Sequence, residues 1–170
     1  KRAEHGSIGA LAPQRVNGDA TGIHSVDVHI AAIQAVASAC DAGCEGLRLG
    51  SDRIVFRPGL PVAKEIRADV GTAGSVALVL QAWLPVALTA GGSITITGGT
   101  EVDRSPTIDY LEQVLFRALA RHGAKIRTEI RKRGYYPAGG GGARVSAEPS
   151  RLGPLAVHDE QPGSGGIVAS

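Results

Sequence analysis

Three segments carry residues whose types and spacing could do chemistry. Gly71-Thr72-Ala73-Gly74-Ser75 places small residues at the start of an apolar run. Small residues let a ligand approach the backbone, and the free N–H groups and dipole of a helix start favour an anion. Tight strand-to-helix packing would use the same residues, so both readings stay open. No Gly-Lys-Ser/Thr follows, so this is not a Walker-type phosphate loop. Gln81 is the one long polar side chain between Ala73 and Ala90. A buried amide needs partners, which backbone or a ligand could supply. The third segment is Arg133-Gly134-Tyr135-Tyr136-Pro137-Ala138, followed by four glycines, Gly139 to Gly142. Such a run permits unusual dihedrals and close backbone contact. It precedes a strand and opens no helix, so it is not a dinucleotide fingerprint, and a plain hairpin loop is its other reading.

Charge adds a fourth candidate. Arg117, Arg121, Lys125, Arg127, Arg131, Lys132 and Arg133 face a single acid, Glu129, within 17 residues, although the whole chain carries only +2. This is either a phosphate-facing surface or a solvated helix face and edge strand. His5, His24, His29, His122 and His158 do not assemble with a nucleophile and an orienting group at any recognisable spacing. Cys40 and Cys44 lack the further ligands that zinc needs, and read as buried thiols in a reducing compartment.

The elements that must position these residues can be read from periodicity. Ile30, Ile33, Val36, Ala37 and Cys40 recur at helical steps from Ser25 to about Gly43. Strand-like runs follow at Gly46–Leu49, Arg53–Phe56 and Glu65–Val70. Ala73–Ala90 predicts a helix buried on most sides, kinked or shortened by Pro85 and stopped by Gly91-Gly92. Gln81 and Pro85 interrupt it, which argues against a membrane span. Ile94–Thr97 alternates as a strand. Ser105 as N-cap and Pro106 at the first helical position predict a third helix ending at Gly123. Lys125–Lys132 and Ala143–Glu148 read as the last two strands. The mixture without strict alternation argues for an α/β (α+β) two-layer sandwich over a doubly wound sheet.

At 170 residues, 43% hydrophobic and 20% charged, the chain can bury one core, which excludes disorder as its overall state. Residues 1–24 are polar, glycine-rich and without period, and read as an irregular segment. Residues 25–150 form the α/β domain and 151–170 a tail. No apolar leader is visible, and the chain opens Lys1-Arg2-Ala3 without Met, so a fragment is expected.

The run Arg133-Gly134-x-x-Pro137-x-Gly139-Gly140-Gly141 resembles the signature of the RNA 3′-terminal phosphate cyclase family. Leu49-Gly50-Ser51, Phe56-Arg57-Pro58-Gly59, Gly71–Ser75 with Leu78–Gln81, Thr97–Thr100 and Pro106-x-x-Asp109-Tyr110 resemble it in the same order, from about His29 to Val145. The resemblance implies a fold of repeated small α/β units with one inserted domain, for which residues 151–170 would be a truncated start. It implies an enzyme that uses ATP, with Mg²⁺ expected beside it, to adenylate its own histidine and pass AMP to an RNA 3′-phosphate. The neighbouring 2′-hydroxyl then displaces AMP and leaves a 2′,3′-cyclic phosphate. Adenylation makes a good leaving group, and the protein mainly positions charged phosphates. By the same resemblance Gln81 contacts ATP, the glycine hairpin and the helix carrying Gln81 are expected to come together as half of a nucleotide cleft, and Arg2, His29, Gly74, Ser75, Arg131 and Arg133 are the weaker candidates for RNA or phosphate.

The chain also departs from the family pattern. Members are about twice as long, and their nucleophilic histidine would lie beyond Ser170. No catalytic residue is therefore assigned within this chain, which is expected to be inactive alone. His5 stands where a second arginine is expected, and Ala143 where a branched aliphatic is preferred. The implied partners are RNA 3′ ends and ATP, with no membrane and a cytoplasmic location (nuclear in a eukaryote). Non-catalytic cyclase-like proteins of ribosome assembly, which would bind RNA, are the alternative. Enolpyruvyl transferases use related units, but the arginine–glycine signature speaks against them.

Overall fold

The computed structural model describes residues 27–72 and 74–154, together with the backbone of 23–24. Arg2, His5, His158 and most of the two terminal segments set apart above lie outside the described residues.

Asp27 begins the first helix, its carboxylate accepting from the N–H groups of His29 at 2.8 Å and Ile30 at 3.1 Å. The helix, α1 (Val28–Ala39), buries Ala31, Ala35, Ala37 and Ala39. These small side chains let it pack against a second helix, α2 (Val76–Ala90). A helical chain interrupted by one π-helical stretch follows: α3 (Ile108–Tyr110), Leu111–Phe116 in π geometry, then α4 (Arg117–Arg121). The strands are β1 (Ile23–His24), β2 (Gly43–Glu45), β3 (Val55–Arg57), β4 (Lys64–Asp69), β5 (Gly92–Gly98), β6 (Lys125–Lys132) and β7 (Gly141–Glu148). Thus a strand closes the stretch expected to be irregular.

Five strands form a mixed sheet in the order β1-β4-β5-β7-β6, parallel from β1 to β5 and antiparallel beyond. Alternation gives the sheet two unlike faces. Ile66, Ile94, Val145 and Thr128 form one row, and Ala68, Ile96, Ala143 and Ile130 the next. These rows meet Val76, Val79, Leu80, Trp83 and Leu84 of α2, with Ile108, Leu111 and Phe116 of the third helix, in one core. The opposite face carries Glu65, Ser93, Ser146 and Arg127 in one row, then Arg67, Thr95, Arg144 and Glu129. Arg144 crosses between them, donating to Glu65 Oε1 at 2.9 Å and Ser93 Oγ at 3.2 Å. All helices therefore cover one face, and the fold is the two-layer α/β arrangement read from the pattern.

Local differences have local causes. The hairpin β2–β3 begins three residues before the run at Gly46–Leu49. Gly46 has φ +71°, and a Cβ there would lie 2.4 Å from the Arg53 carbonyl, so the chain turns where the apolar pattern continues. Thr107, not Ser105, caps the third helix, its hydroxyl accepting from Tyr110 N–H at 3.1 Å. Helix α2 runs through the exposed Pro85 to Ala90 without ending. Gly141 and Gly142 are strand residues paired with Gly98 and Thr97, so half of the four-glycine run belongs to the sheet. Cys40 and Cys44 are free and buried beside Ala37 and Ala42. No helix among the described residues is long and apolar enough to cross a membrane.

Candidate functional site

The carboxyl ends of the parallel strands β4 and β5 meet the start of α2, and the hairpin between β6 and β7 folds onto the same end. Ser75 caps α2, accepting from Leu78 N–H at 3.3 Å and sharing a hydrogen bond with the Ser105 hydroxyl. Gly74 accepts from Gly99 N–H at 2.8 Å, and Gly99 in turn accepts from Val76 N–H at 3.0 Å. A Cβ on Gly74 would stand 2.4 Å from the Val70 carbonyl. In this segment the small residues serve strand-to-helix packing, and the Ser75 hydroxyl is engaged within the protein.

The hairpin is anchored by backbone. Gly134 O accepts from the N–H groups of Thr100 at 2.9 Å and Glu101 at 3.0 Å, while Gly134 N–H donates to Thr100 Oγ1 at 2.9 Å. A Cβ on Gly134 would lie 2.2 Å from Gly141 N, and one on Gly141 would lie 2.6 Å from Gly134 N. Two backbones therefore pass where no side chain fits. Arg133 completes the joint. Its guanidinium forks onto Asp109, at 2.6 and 2.8 Å, and also donates to Glu101 Oε1 at 2.7 Å. The side chains of Glu101 and Asp109 are only 5% and 13% exposed, against 39% for Arg133.

Electrostatics separates the two carboxylates. The hydrogen bonds from Arg133 hold Asp109 below the usual aspartate range, outweighing its partial burial. Burial pushes Glu101 upward despite the same guanidinium, and the nearby Asp109 charge adds to the rise. Glu101 Oε2 is buried with no hydrogen-bond partner in the structure. The two carboxylates, chiefly Asp109, raise the Arg133 pKa further. Glu101 was not among the residues singled out from sequence, and Asp109 stood there only as part of the Pro106-x-x-Asp109-Tyr110 motif, with no role attached. The sequence signal for them is an acid directly after Gly-Gly-Thr and another on the first turn of a helix, which is weak without the fold.

Gln81 stands elsewhere. It is half-buried on α2 and lines a cavity of about 390 Å³ with Leu84, Pro85, Leu88, Thr89, Leu115, Leu119, Ser150 and Leu152. Pro85 has no N–H to give the Gln81 carbonyl four residues earlier, so this turn of α2 lacks that hydrogen bond. The hairpin does not line this cavity; structure separates the glycine hairpin and Gln81, which the sequence reading placed in one cleft. His29 is exposed at the first turn of α1, with Nδ1 3.4 Å from Asp27 Oδ1. Arg131 is the extra residue of a β-bulge between Ile130 and Lys132, and lies 3.5 Å from Glu129. A bulge re-aims the side chain it carries.

The family model described as RNA 3′-terminal phosphate cyclase matches residues 15–161. The chain belongs to the RNA 3′-terminal phosphate cyclase family. It is 47% identical over 130 residues to the RNA 3′-terminal phosphate cyclase of Methanopyrus kandleri, covering 75% of this chain and 37% of that protein. The namesake of Archaeoglobus fulgidus is 44% identical over 126 residues, 73% of this chain and 38% of the relative. That of Methanococcoides burtonii is 39% identical over 164 residues, 89% of this chain and 50% of the relative. The chain thus spans a third to a half of the length of the curated relatives it matches. Within this cyclase-family fold, the signature's arginine and its first and last glycines hold the hairpin to the β5–α3 loop.

Proposed function

We propose that this chain is the part of an RNA 3′-terminal phosphate cyclase that binds ATP beside Gln81 and receives the RNA 3′ end along the basic β6 edge. The activity is the ATP-dependent conversion of RNA 3′-phosphates to 2′,3′-cyclic phosphates. The observation that carries the reading is the Gln81 amide, a donor and an acceptor set in a largely apolar cavity. Apolar walls with a few placed polar groups suit a nucleoside. Bound ATP would supply the activated phosphorus; this chain's residues would seat the base and hold the RNA phosphates against solvent. Among the described residues no cluster of His, Cys, Asp or Glu could hold a metal ion, and Glu101 and Asp109 already share Arg133. Mg²⁺ would enter with the ATP phosphates, which need only one or two protein carboxylates beside them, so this chain is assigned no dedicated metal site and no step through the ion.

Gln81→Ala is expected to weaken ATP binding about 3- to 10-fold in titration calorimetry, the worth of one hydrogen bond. Binding by that variant as tight as the wild type's would overturn the ATP role. Of the described histidines, His29 is solvent-exposed at the first turn of α1 and His122 gives its backbone N–H to the end of α4, and neither lines the Gln81 cavity. Incubation with radiolabelled ATP is expected to leave no acid-labile AMP on the protein. Robust labelling would refute this and favour a complete catalyst over the non-catalytic RNA-binding alternative.

A further inference from the structure

The three tyrosines are the exposed aromatics, Tyr110 on the third helix at 51% and two more on the signature hairpin. Trp83 and Phe116 are buried in the core, whereas Tyr135 and Tyr136, adjacent on the signature hairpin, are 52% and 67% exposed. Their backbone is held on both sides. Tyr136 N–H donates to Glu101 O at 3.2 Å, and Tyr135 O accepts from Gly139 N–H at 2.7 Å. Tyr135 bridges Glu101 on one side and Gly139 on the other. With Arg133 clamped and Gly134 pressed on Gly141, two bulky rings stand in water on a segment that has little freedom to bury them. Exposed rings on a held backbone lose little entropy when they meet a ligand.

Their surroundings are cationic. Lys132 Nζ lies over the hairpin, 4.0 Å from where a Cβ on Gly140 would sit, and Lys132 has no ion-pair partner among the described residues. The bulged Arg131 precedes it. Rings interleaved with cations match single-stranded nucleic acid, which offers stacking faces and a phosphate track together. A protein surface rich in acids would use the cations and leave the ring faces without a stacking partner.

We propose that Tyr135 and Tyr136 form a stacking platform for unpaired bases of the RNA upstream of its 3′ end, with Arg131 and Lys132 along the adjoining phosphates. This rests on the reading that the chain receives RNA ends, and extends it from the terminal phosphate to the preceding nucleotides. It makes the hairpin a reader of strandedness, since paired bases have no free faces to offer.

The test uses fluorescence anisotropy of the whole chain with a 5′-fluorescein, unstructured 12-nucleotide RNA bearing a 3′-phosphate. A matched RNA has abasic sites at the nucleotides before the terminus. Stacking is worth about 1–3 kcal/mol per base, so Tyr135→Leu with Tyr136→Leu is expected to weaken binding at least about 5-fold. The Phe pair is expected to retain affinity, and the abasic RNA to bind the wild type as weakly as the Leu pair binds intact RNA. Thermal melting should be unchanged, because both rings are exposed. Equal affinity of wild type and Leu pair for both RNAs overturns the platform and leaves RNA binding standing. Absence of wild-type binding at low salt overturns both. A change in sedimentation of the Leu pair with unchanged RNA affinity assigns the rings to a protein contact and overturns the proposal.

Discussion

Arg133 is the residue on which the local structure of the signature turns. Its fork joins the hairpin to Asp109 on the third helix and to Glu101 after β5, and no other side chain replaces that geometry. Lysine is a point charge and cannot bind two carboxylates in a plane. Arg133→Ala is expected to cost about 2 kcal/mol in urea unfolding, below the full value for a buried pair because the arginine is partly exposed. Arg133→Lys should recover less than half of the loss. The pH dependence follows from the two carboxylates. Asp109 is depressed when folded, so it contributes stability above its unfolded pKa, and this is lost as pH falls through the depressed value. Glu101 is raised when folded, so its charged form weighs against folding at neutral pH, and mild acid relieves that. The urea midpoint should therefore hold or rise slightly on mild acidification and fall only below the ordinary aspartate range. Asp109→Asn should flatten that acid limb. A limb of the same steepness in the variant would show that other carboxylates govern it.

At the scale of elements, α2 and the β6–β7 hairpin do different work. Helix α2 supplies the core through Val76, Val79, Leu80, Trp83 and Leu84 and presents Gln81 at its flank. Its start is fixed by the Ser75 cap, and Ser75→Ala is expected to lower stability by about 1 kcal/mol, read from the thermal midpoint. The hairpin depends on two backbones in contact. Gly141→Ala would place a methyl against Gly134 N and, at 2.9 Å, against Thr100 Cγ2. The main chain must move, so a loss of stability larger than that of Ser75→Ala is expected from the same melt.

At the scale of the molecule, a two-layer fold leaves one sheet face in solvent and one edge, β6, lined with cations. If RNA phosphates run along that edge, the logarithm of affinity should fall linearly with the logarithm of salt concentration. Lys132→Glu should weaken binding and make that slope shallower, while Arg67→Gln, on the open face near the far side of the sheet, should change little. A salt-independent affinity would remove the basic edge from the proposal. The chain spans only a third to a half of its relatives' length, so these measurements address binding by this part, not turnover by a whole cyclase.

How much the sequence disclosed follows from the range of each interaction. Helix and strand types came from periodicities within a few residues: the alternation of Lys125–Lys132, the helical stripe after Pro106, the stop at Gly91. The layering followed because β4, β5, β6 and β7 each turn the more apolar of their two faces to the helices. The family followed from the spacing of Arg133, Gly134, Pro137 and Gly139–Gly141, which survives without any fold. What that spacing is for was not visible, because its partners are distant in sequence. Glu101 and Asp109 reach Arg133 across 32 and 24 residues. Thr100 meets Gly134 across 34 residues. Gln81 and the hairpin look like two walls of one cleft along the chain, yet they occupy different sites. Local pattern sets which face a side chain takes on its own element; only packing sets which element it meets, because ion pairs, backbone contacts and cavities form between surfaces that the chain brings together after its local structure exists.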